Sequence, residues 1–342
     1  MGVDLPPGDR RRRRRVRGKS ERPERGHEIP LNTPPTTEGD AADDEVASAR
    51  RRTTSRRELA RHPDFEEVSP EVGEIDESAV ERAMEDDPDE MLAMLADLTG
   101  ATDVGLRELA RRLAGRLFLD VARRGPSRPR GVGRLTTERY RPDVGDIDLD
   151  ASLDAIVTAR STGSAVDPDD LRVRTWSTPA TAICLLVDRS GSMGGRPLAT
   201  NAVAAAAVAW RAPDDYSVLS FGRDVVAVKS QERTRTAEEV VDAVLALRGF
   251  GTTDVSGALV AAGDQLTRSG ARRKIAILLS DCRATVDGDV GAAAAGLDEL
   301  VIVAPEHDSD EAESLARATG ARITTVAGPS DAAAALTRVL DD

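Results

Sequence analysis

The carboxyl-terminal half of the chain alternates short apolar runs with stretches that repeat apolar residues at helical spacing. Apolar runs with little polar interruption are typical of strands buried on both faces, and their alternation with helices is typical of a parallel sheet. The pattern predicts strands at Ala182–Val187, Tyr216–Phe221, Val225–Val228, Ile275–Leu279, Leu300–Val303 and Ile323–Val326. It predicts helices at Leu198–Trp210, Ala237–Leu247, Val255–Leu266, Asp289–Leu297, Ser309–Thr319 and Asp331–Leu340. The expected fold is α/β: a doubly wound, Rossmann-like, mostly parallel sheet of six strands.

Upstream of this pattern, residues 76–177 indicate a small helical region followed by a linker. Apolar residues between Val80 and Val121 recur at helical spacing, which predicts two or three helices. Pro88 fits the first turn of one helix, and Gly100 fits its end. Three further elements are predicted behind them: a Gly-, Pro- and Arg-rich linker with at most a short strand at 125–146, a helix at Asp148–Arg160, and an edge strand at Leu171–Trp176.

Residues 1–75 are rich in Arg, Pro, Thr, Asp and Glu and poor in apolar residues. Such a segment cannot bury enough surface to offset its ordering entropy, so a disordered tail is predicted. The basic block Arg10–Arg15 is expected to be a solvated part of this tail rather than an arm for nucleic acid or a membrane. The domain organisation predicted from sequence is therefore a tail (1–75), a helical region with linker (76–177) and an α/β domain (178–342).

The chain carries a net charge of −13, which disfavours nucleic acid as a partner because phosphates would be repelled. Its cysteines, Cys184 and Cys282, lie in or beside predicted buried strands, so they are expected to be reduced core residues. No apolar stretch has the length that a membrane span needs, and no signal peptide is visible. The cytoplasm is the expected location.

Three segments place oxygen-bearing side chains where the predicted strands end. The first strand runs into Asp188-Arg189-Ser190-Gly191-Ser192, so that an acid and two hydroxyls stand at i, i+2 and i+4. The Gly-rich loop Gly249–Asp254 precedes a helix, and Asp281 ends the fourth strand, which is expected to lie beside the first. Ligands of open α/β sheets bind at this edge. Two carboxylates and several hydroxyls are hard ligands, which favours Mg²⁺, with Mn²⁺ and Ca²⁺ as alternatives.

This arrangement resembles the metal-ion-dependent adhesion site (MIDAS) of von Willebrand factor A (VWA) domains, over roughly residues 178–342. The resemblance implies that Asp188, Ser190, Ser192, Thr253 and Asp281 hold a divalent ion. Thr253 is chosen because Thr253-Asp254-Val255 matches the usual Thr-Asp-aliphatic order, and Thr252 is the alternative. It also implies a protein partner whose Asp or Glu completes the coordination. An ion-free domain in which Asp188 and Ser190 cap a helix is the competing interpretation.

A second resemblance concerns the segments before the α/β domain. Leu117-Phe118-Leu119-Asp120, Gly131-Val132-Gly133-Arg134-Leu135 and Gly145–Leu153 are similar to bacterial cytosolic proteins of the CoxE and magnesium-chelatase D-subunit type. Unlike the usual chelatase D subunit, this chain shows no AAA-like module ahead of the A domain. The resemblance implies a co-chaperone or adaptor that works with a MoxR-type AAA+ ATPase in the maturation of a metalloenzyme or complex.

Catalysis by the chain itself is not expected. Lys19 and Ser20 lack the first Gly of a Walker A loop, and no nucleophile elbow surrounds Ser190 or Ser192. His27, His62 and His307 are expected to be solvated surface residues. Two alternatives stay open: a metal-dependent phosphohydrolase, and an RNA-associated A domain that uses the Arg-rich segments. Arg189, inside the metal loop, is either a residue that steers an acidic partner or a solvated side chain.

Overall fold

The computed structural model describes residues 1–2, 35–124, 134–139, 146–163, 165–177, 181–189, 194–249 and 251–340. The chain divides into two compact units, Met1–Thr33 and Pro34–Asp342, and all elements below belong to the second. Six helices come first: α1 (Gly39–Ala49), α2 (Arg56–Leu59), α3 (Phe65–Val68), α4 (Glu77–Asp86), α5 (Pro88–Leu98) and α6 (Val104–Arg124). Pro88 begins α5 as predicted, and the side chain of Asp87 caps this helix by accepting the N–H of Glu90.

Helices α1–α3 lie in the segment that was predicted to be disordered, so that prediction is wrong for residues 39–68. A few apolar anchors, Val46, Leu59 and Phe65 among them, are buried in the core formed with the rest of the chain. Ion pairs add to these contacts, since Asp43 in α1 pairs with Arg233 and Arg235. The segment is ordered by contacts with residues that come much later in the chain, and its own composition does not predict these contacts. The block Arg10–Arg15 lies outside the described residues.

A small antiparallel sheet follows, formed by β1 (Arg134–Arg139), β2 (Asp146–Ile147) and β3 (Arg172–Ser177), with helix α7 (Leu149–Thr162) between β2 and β3. The strand order is β1-β3-β2. β3 is therefore the central strand and not the edge strand that the sequence predicted. Part of the predicted linker is the full strand β1; the remainder of it, at 125–133 and 140–145, lies outside the described residues.

The main sheet has six strands: β4 (Thr181–Asp188), β5 (Tyr216–Phe221), β6 (Val225–Lys229), β7 (Arg273–Leu279), β8 (Glu299–Pro305) and β9 (Arg322–Val326). Their order is β6-β5-β4-β7-β8-β9. All neighbours are parallel except the hairpin β5–β6. The helices of this part are α8 (Gly195–Arg211), α9 (Ala237–Ala246), α10 (Val255–Thr267), α11 (Val290–Ala295), α12 (Asp310–Thr319) and α13 (Ala332–Leu340). The predicted doubly wound α/β fold is confirmed.

Two hydrophobic layers enclose this sheet, and β4 supplies alternate residues to each. Ile183, Leu185 and Val187 join the layer that also contains α8, α9, α13 and the upstream helices. Ala182, Cys184 and Leu186 join the layer of α10 and α12. Helix α8 is buried along almost its whole length, because α5 and α6 pack on it from the side away from the sheet. A helix buried all round is apolar all round, which explains its run of alanines.

The free edge of β6 is covered by the segment that precedes α1. Thr37 pairs with Val226 in parallel orientation, donating its N–H to Val225 (2.8 Å) and accepting from Ala227 (2.9 Å). Unpaired strand edges invite association with other chains, so this cover satisfies backbone groups that would otherwise be open. Among the helices in the described ranges, none combines the length and the apolar composition needed to cross a membrane.

Candidate metal centre

The strand ends that carry the two predicted acidic ligands lie side by side. β4 and β7 are parallel neighbours in a register that pairs Val187 with Leu279. Asp188 is therefore level with Ser280, and Asp281 follows at the same sheet edge. The strand order reverses between β4 and β7, which is where open α/β sheets bind their ligands. The predicted neighbourhood of the two strands is confirmed.

Asp188 is a buried residue, 6% exposed, and two hydrogen bonds hold it in place. The hydroxyl of Ser280 donates to its Oδ2 at 2.6 Å, and Nδ2 of Asn201 in α8 donates to its backbone carbonyl at 2.9 Å. These two bonds fix the point where the chain leaves β4. Neither residue was predicted as a partner of Asp188, although Asn201 is a polar side chain inside an Ala-rich, otherwise apolar run.

The turn after β7 is tight and carries Asp281 outward. Oδ1 of Asp281 accepts the N–H of Arg283 at 3.0 Å, and the N–H of Cys282 donates to the hydroxyl of Ser280 at 2.9 Å. Cys282 has φ of 62°, a left-handed conformation that is unusual for a residue other than glycine. Burial raises the pKa of its thiol to about 12, so the side chain is a neutral thiol beside the carboxylates. Cys184 and Cys282 are both buried and free, as predicted.

Thr253 lies in the loop before α10 and is 2% exposed. Its N–H donates to the hydroxyl of Thr285 at 2.7 Å, and its carbonyl accepts from the N–H of the same residue at 3.0 Å. The loop of Thr253 is thereby fixed to the segment that follows Asp281. Thr252 is exposed instead. The choice of Thr253 over Thr252 as a ligand stays a prediction, as does the role of Ser190 and Ser192, which lie outside the described residues.

Two glycines let the loops around Asp188 approach each other at backbone distance. A Cβ at Gly249 would overlap the carbonyl of Arg189, and a Cβ at Gly222 would lie 3.4 Å from the carbonyl oxygen of Thr252. The side chain of Arg189 is 16% exposed, with Nη1 4.0 Å from Oε1 of Glu45. Burial lowers the pKa of this guanidinium. Arg189 is therefore not the solvated side chain that was one of its two predicted states.

A cavity of about 460 Å³ opens beside Asp188 and Asp281. Its lining includes the cationic Arg196, the apolar Pro197 and the polar or acidic side chains of His307 and Asp308, next to the two carboxylates. It lies at the carboxyl ends of the strands, between the start of α8 and the loops after β7 to β9.

His62 was predicted to be a solvated surface residue, and this prediction is wrong. Its side chain is 14% exposed rather than solvated, with Nδ1 2.8 Å from Oε1 of Glu90 and Nε2 3.1 Å from Oδ2 of Asp97. The hydrogen bond with Asp97 is the main cause that raises the pKa of His62, and the one with Glu90 adds to it. No local sequence pattern pointed to this contact, because His62 lies in a segment expected to be disordered.

A family model described as VWA domain containing CoxE-like protein matches residues 120–331, more than half of the chain. The chain belongs to this family. The match begins in α6 and ends just before α13, so it covers the small sheet and all six strands of the main sheet. Helices α1–α5 lie outside it.

Several solved structures are similar to the VWA part. Proximal thread matrix protein 1 from the mussel byssus shares 14% identity over 48% of each chain, with a TM-score of 0.40. A von Willebrand factor type A protein from Catenulispora acidiphila shares 17% identity over 47% of this chain and 42% of its own (TM-score 0.36). The manganese-loaded TRAP protein of Plasmodium vivax shares 15% identity over 43% and 68% (TM-score 0.35). The chain spans about half the length of the first two. No curated protein sequence matches it.

The donor chemistry of the described VWA residues fits a hard divalent ion held partly by hydroxyls. Within the described ranges, no three His, Cys, Asp or Glu side chains gather into a group that could hold a metal. Among the described residues, Asp188 and Asp281 offer carboxylate oxygens and Thr253 offers a hydroxyl. Oxygen donors of this kind suit Mg²⁺, Mn²⁺ or Ca²⁺ and not the softer metals.

Proposed function

We propose that this VWA protein is a metal-dependent protein-binding module. In this proposal Asp188, Ser190, Ser192, Thr253 and Asp281 hold Mg²⁺, with Mn²⁺ and Ca²⁺ as alternatives. The observation that carries it is the meeting of Asp188 and Asp281 at neighbouring strand ends, beside a cavity that opens to solvent. Five protein oxygens leave one of the roughly six coordination positions of such an ion open, and a further oxygen ligand such as a carboxylate can occupy it.

The ion would supply a coordination position for a carboxylate of the partner, and the chain supplies the rest. Ser280 and Asn201 hold Asp188 at the end of β4. Arg196 lines the cavity and is half exposed, so its positive charge favours the approach of an acidic segment. Asp188 is buried and Asp281 lies farther out, so an ion held by both would be open to a carboxylate of the partner.

The partner that the family resemblance favours is a MoxR-type AAA+ ATPase, with this chain as its co-chaperone or adaptor in the maturation of a metalloenzyme or complex. We place this activity in the cytoplasm, which agrees with two free, buried cysteines. On this proposal the acidic ligand belongs to the ATPase or to the client on which it acts.

A pull-down with a MoxR-type ATPase from the same organism tests the proposal. The full chain is expected to retain the ATPase in Mg²⁺ and to lose it in EDTA. Asp188→Ala should lose it in both conditions, whereas Asp214→Ala, which removes an exposed acid from the loop after α8, should behave like the wild type. Equal recovery by wild type and Asp188→Ala would contradict a metal-bridged interaction.

A further inference from the structure

Helix α8 begins directly after the predicted metal loop, and its N-cap is Gly194, which offers no side chain to the first backbone N–H groups. The first turn of any helix leaves such groups without partners inside the helix. Here Asp97 of α5 supplies the acceptor: its Oδ1 receives the N–H of Gly195 at 3.1 Å. A Cβ at Gly194 would lie 3.1 Å from the same oxygen, so the glycine leaves room for the carboxylate. The helix dipole also favours this negative charge.

The same carboxylate reaches the second loop of the centre through Arg248. Nη1 of Arg248 lies 3.5 Å from Oδ1 of Asp97, and its Nη2 donates to the backbone carbonyls of Ala96 and Asp97 at 2.9 Å each. The guanidinium lies against the end of α5, where a Cβ at Gly100 would come within 2.6 Å of Nη2. Arg248 directly precedes the loop 249–253, which carries Thr253. Asp97 thus accepts a hydrogen bond from the start of α8 and forms an ion pair with Arg248, which precedes the loop of Thr253.

His62 and two further charges complete the surroundings of Asp97. The imidazole of His62 lies between Asp97 and Glu90, and Glu90 is 3.6 Å from Nη2 of Arg196 in α8. We call this set the loop clamp: His62, Glu90, Asp97, Arg196 and Arg248. Asp97 occupies its centre, with one carboxylate oxygen facing His62 and the other facing Gly195 and Arg248.

Apolar contacts already attach α5 to the rest of the chain, so the loop clamp is not needed for that purpose. The helix buries seven apolar residues, Met91–Ala96 and Leu98. An acid placed among them has to be desolvated, which costs free energy unless its partners compensate. Its partners here are the two segments that flank the predicted ligands.

We propose that Asp97 is a positioning residue of the metal centre, which holds the start of α8 and the loop before α10 in one mutual arrangement. The inference rests on the proposed function, since it assigns a supporting residue to the same site. Residues that do not touch the metal but hold its ligands in position contribute strongly to metal affinity. Helix α5, which the family match does not include, is on this view part of the metal centre.

Calorimetric titration of the full chain with Mn²⁺ tests the proposal, with Asp97→Ala and Asp97→Asn as variants. Asp89→Ala is the matched control, because Asp89 lies on the same helix and accepts the N–H of Ser330, which belongs to neither loop. Asp97→Ala is expected to raise the Kd about tenfold or more. Asp97→Asn should have a smaller effect, because the amide oxygen can still accept from Gly195, and it keeps the test decisive if the alanine variant does not fold. Asp89→Ala should leave the Kd unchanged.

Hydrogen exchange separates positioning from general stability. Asp97→Ala should speed exchange in residues 194–200 and 248–253 under conditions where the chain stays folded, and Asp89→Ala should not. Equal Kd values and equal exchange for the two variants, with Asp188→Ala still unable to bind Mn²⁺, would overturn the clamp and leave the proposed function standing. Equal Mn²⁺ binding by wild type and Asp188→Ala would overturn both.

Discussion

At the scale of single residues, some residues of the site could be predicted because they stand at strand ends, and others could not because only their contacts identify them. Asp188 and Asp281 were predicted because each follows a buried strand, and parallel strands bring their ends to one edge. Ser280 and Asn201 were missed because their role is a contact with Asp188, not a motif. Asp97 and Arg248 are 151 positions apart in sequence, so only the packing of α5 on the VWA part brings them together.

His62 makes the stability of the chain depend on pH in a defined direction. Its pKa in the folded chain is raised above 6.5, chiefly by the hydrogen bond with Asp97. The stabilisation is therefore fully present below pH 6.5 and is lost as pH rises through the higher pKa of the folded chain. We predict that the free energy of unfolding in urea differs most between wild type and His62→Gln near pH 6, and that the difference shrinks toward pH 9.

The exposed His307 offers a control for this experiment. His307→Gln is expected to leave the free energy of unfolding unchanged at both pH values, measured in EDTA so that metal binding does not contribute. A difference between wild type and His62→Gln that grows with pH would show that the imidazole is not stabilised as a cation by Asp97 and Glu90.

At the scale of elements, prediction succeeded where burial is regular. The strands of the main sheet were found within a few residues because strands covered on both faces are apolar runs, as in β4 and β7. α5 was found through Pro88 and its apolar spacing. α1–α3 were missed because α2 and α3 have four residues each and α1 buries only Ala42 and Val46, so their order comes from docking on distant elements. β3 was found but assigned to an edge, since its partners come from segments that showed no strand pattern.

The loop before α10 depends on a glycine at position 249. A Cβ there would overlap the carbonyl of Arg189, so the two loops would have to separate. We predict that Gly249→Ala lowers the free energy of unfolding by about 1–3 kcal/mol and weakens Mn²⁺ binding. Gly270→Ala is the control, since a Cβ at Gly270 meets nothing within 4 Å, and it should not destabilise the chain. Similar urea midpoints for the two variants would show that the close approach is not required.

At the scale of the whole molecule, the upstream helices and the VWA sheet share one hydrophobic core. Met91 and Phe118 from these helices belong to the same cluster as Val203 and Val240 from α8 and α9. The domain boundary at residue 178 was predicted because the pattern of apolar residues changes there from mostly helical to alternating strands and helices. The packing shows instead that α5 and α6 cover α8 and supply its outer layer.

A chain that begins at residue 134 tests this shared core. Without α1–α6 it would expose the apolar outer faces of α8 and α9, and large exposed apolar patches promote association. We predict that this shorter chain aggregates or binds hydrophobic dyes and lacks a cooperative unfolding transition. A chain without residues 1–33, which form a separate unit, is the control and should unfold like the full protein. A soluble, cooperative 134–342 fragment with an unchanged urea midpoint would contradict the shared core.

The central claim is that the edge of the sheet at β4 and β7 holds a divalent ion, and calorimetric titration with Mn²⁺ tests it most directly. The wild type and the surface control Asp214→Ala are expected to bind one ion per chain. Asp188→Ala is expected to lose this binding, because it removes the buried carboxylate at the end of β4 that we propose as a ligand. Equal binding by all three proteins would contradict the account.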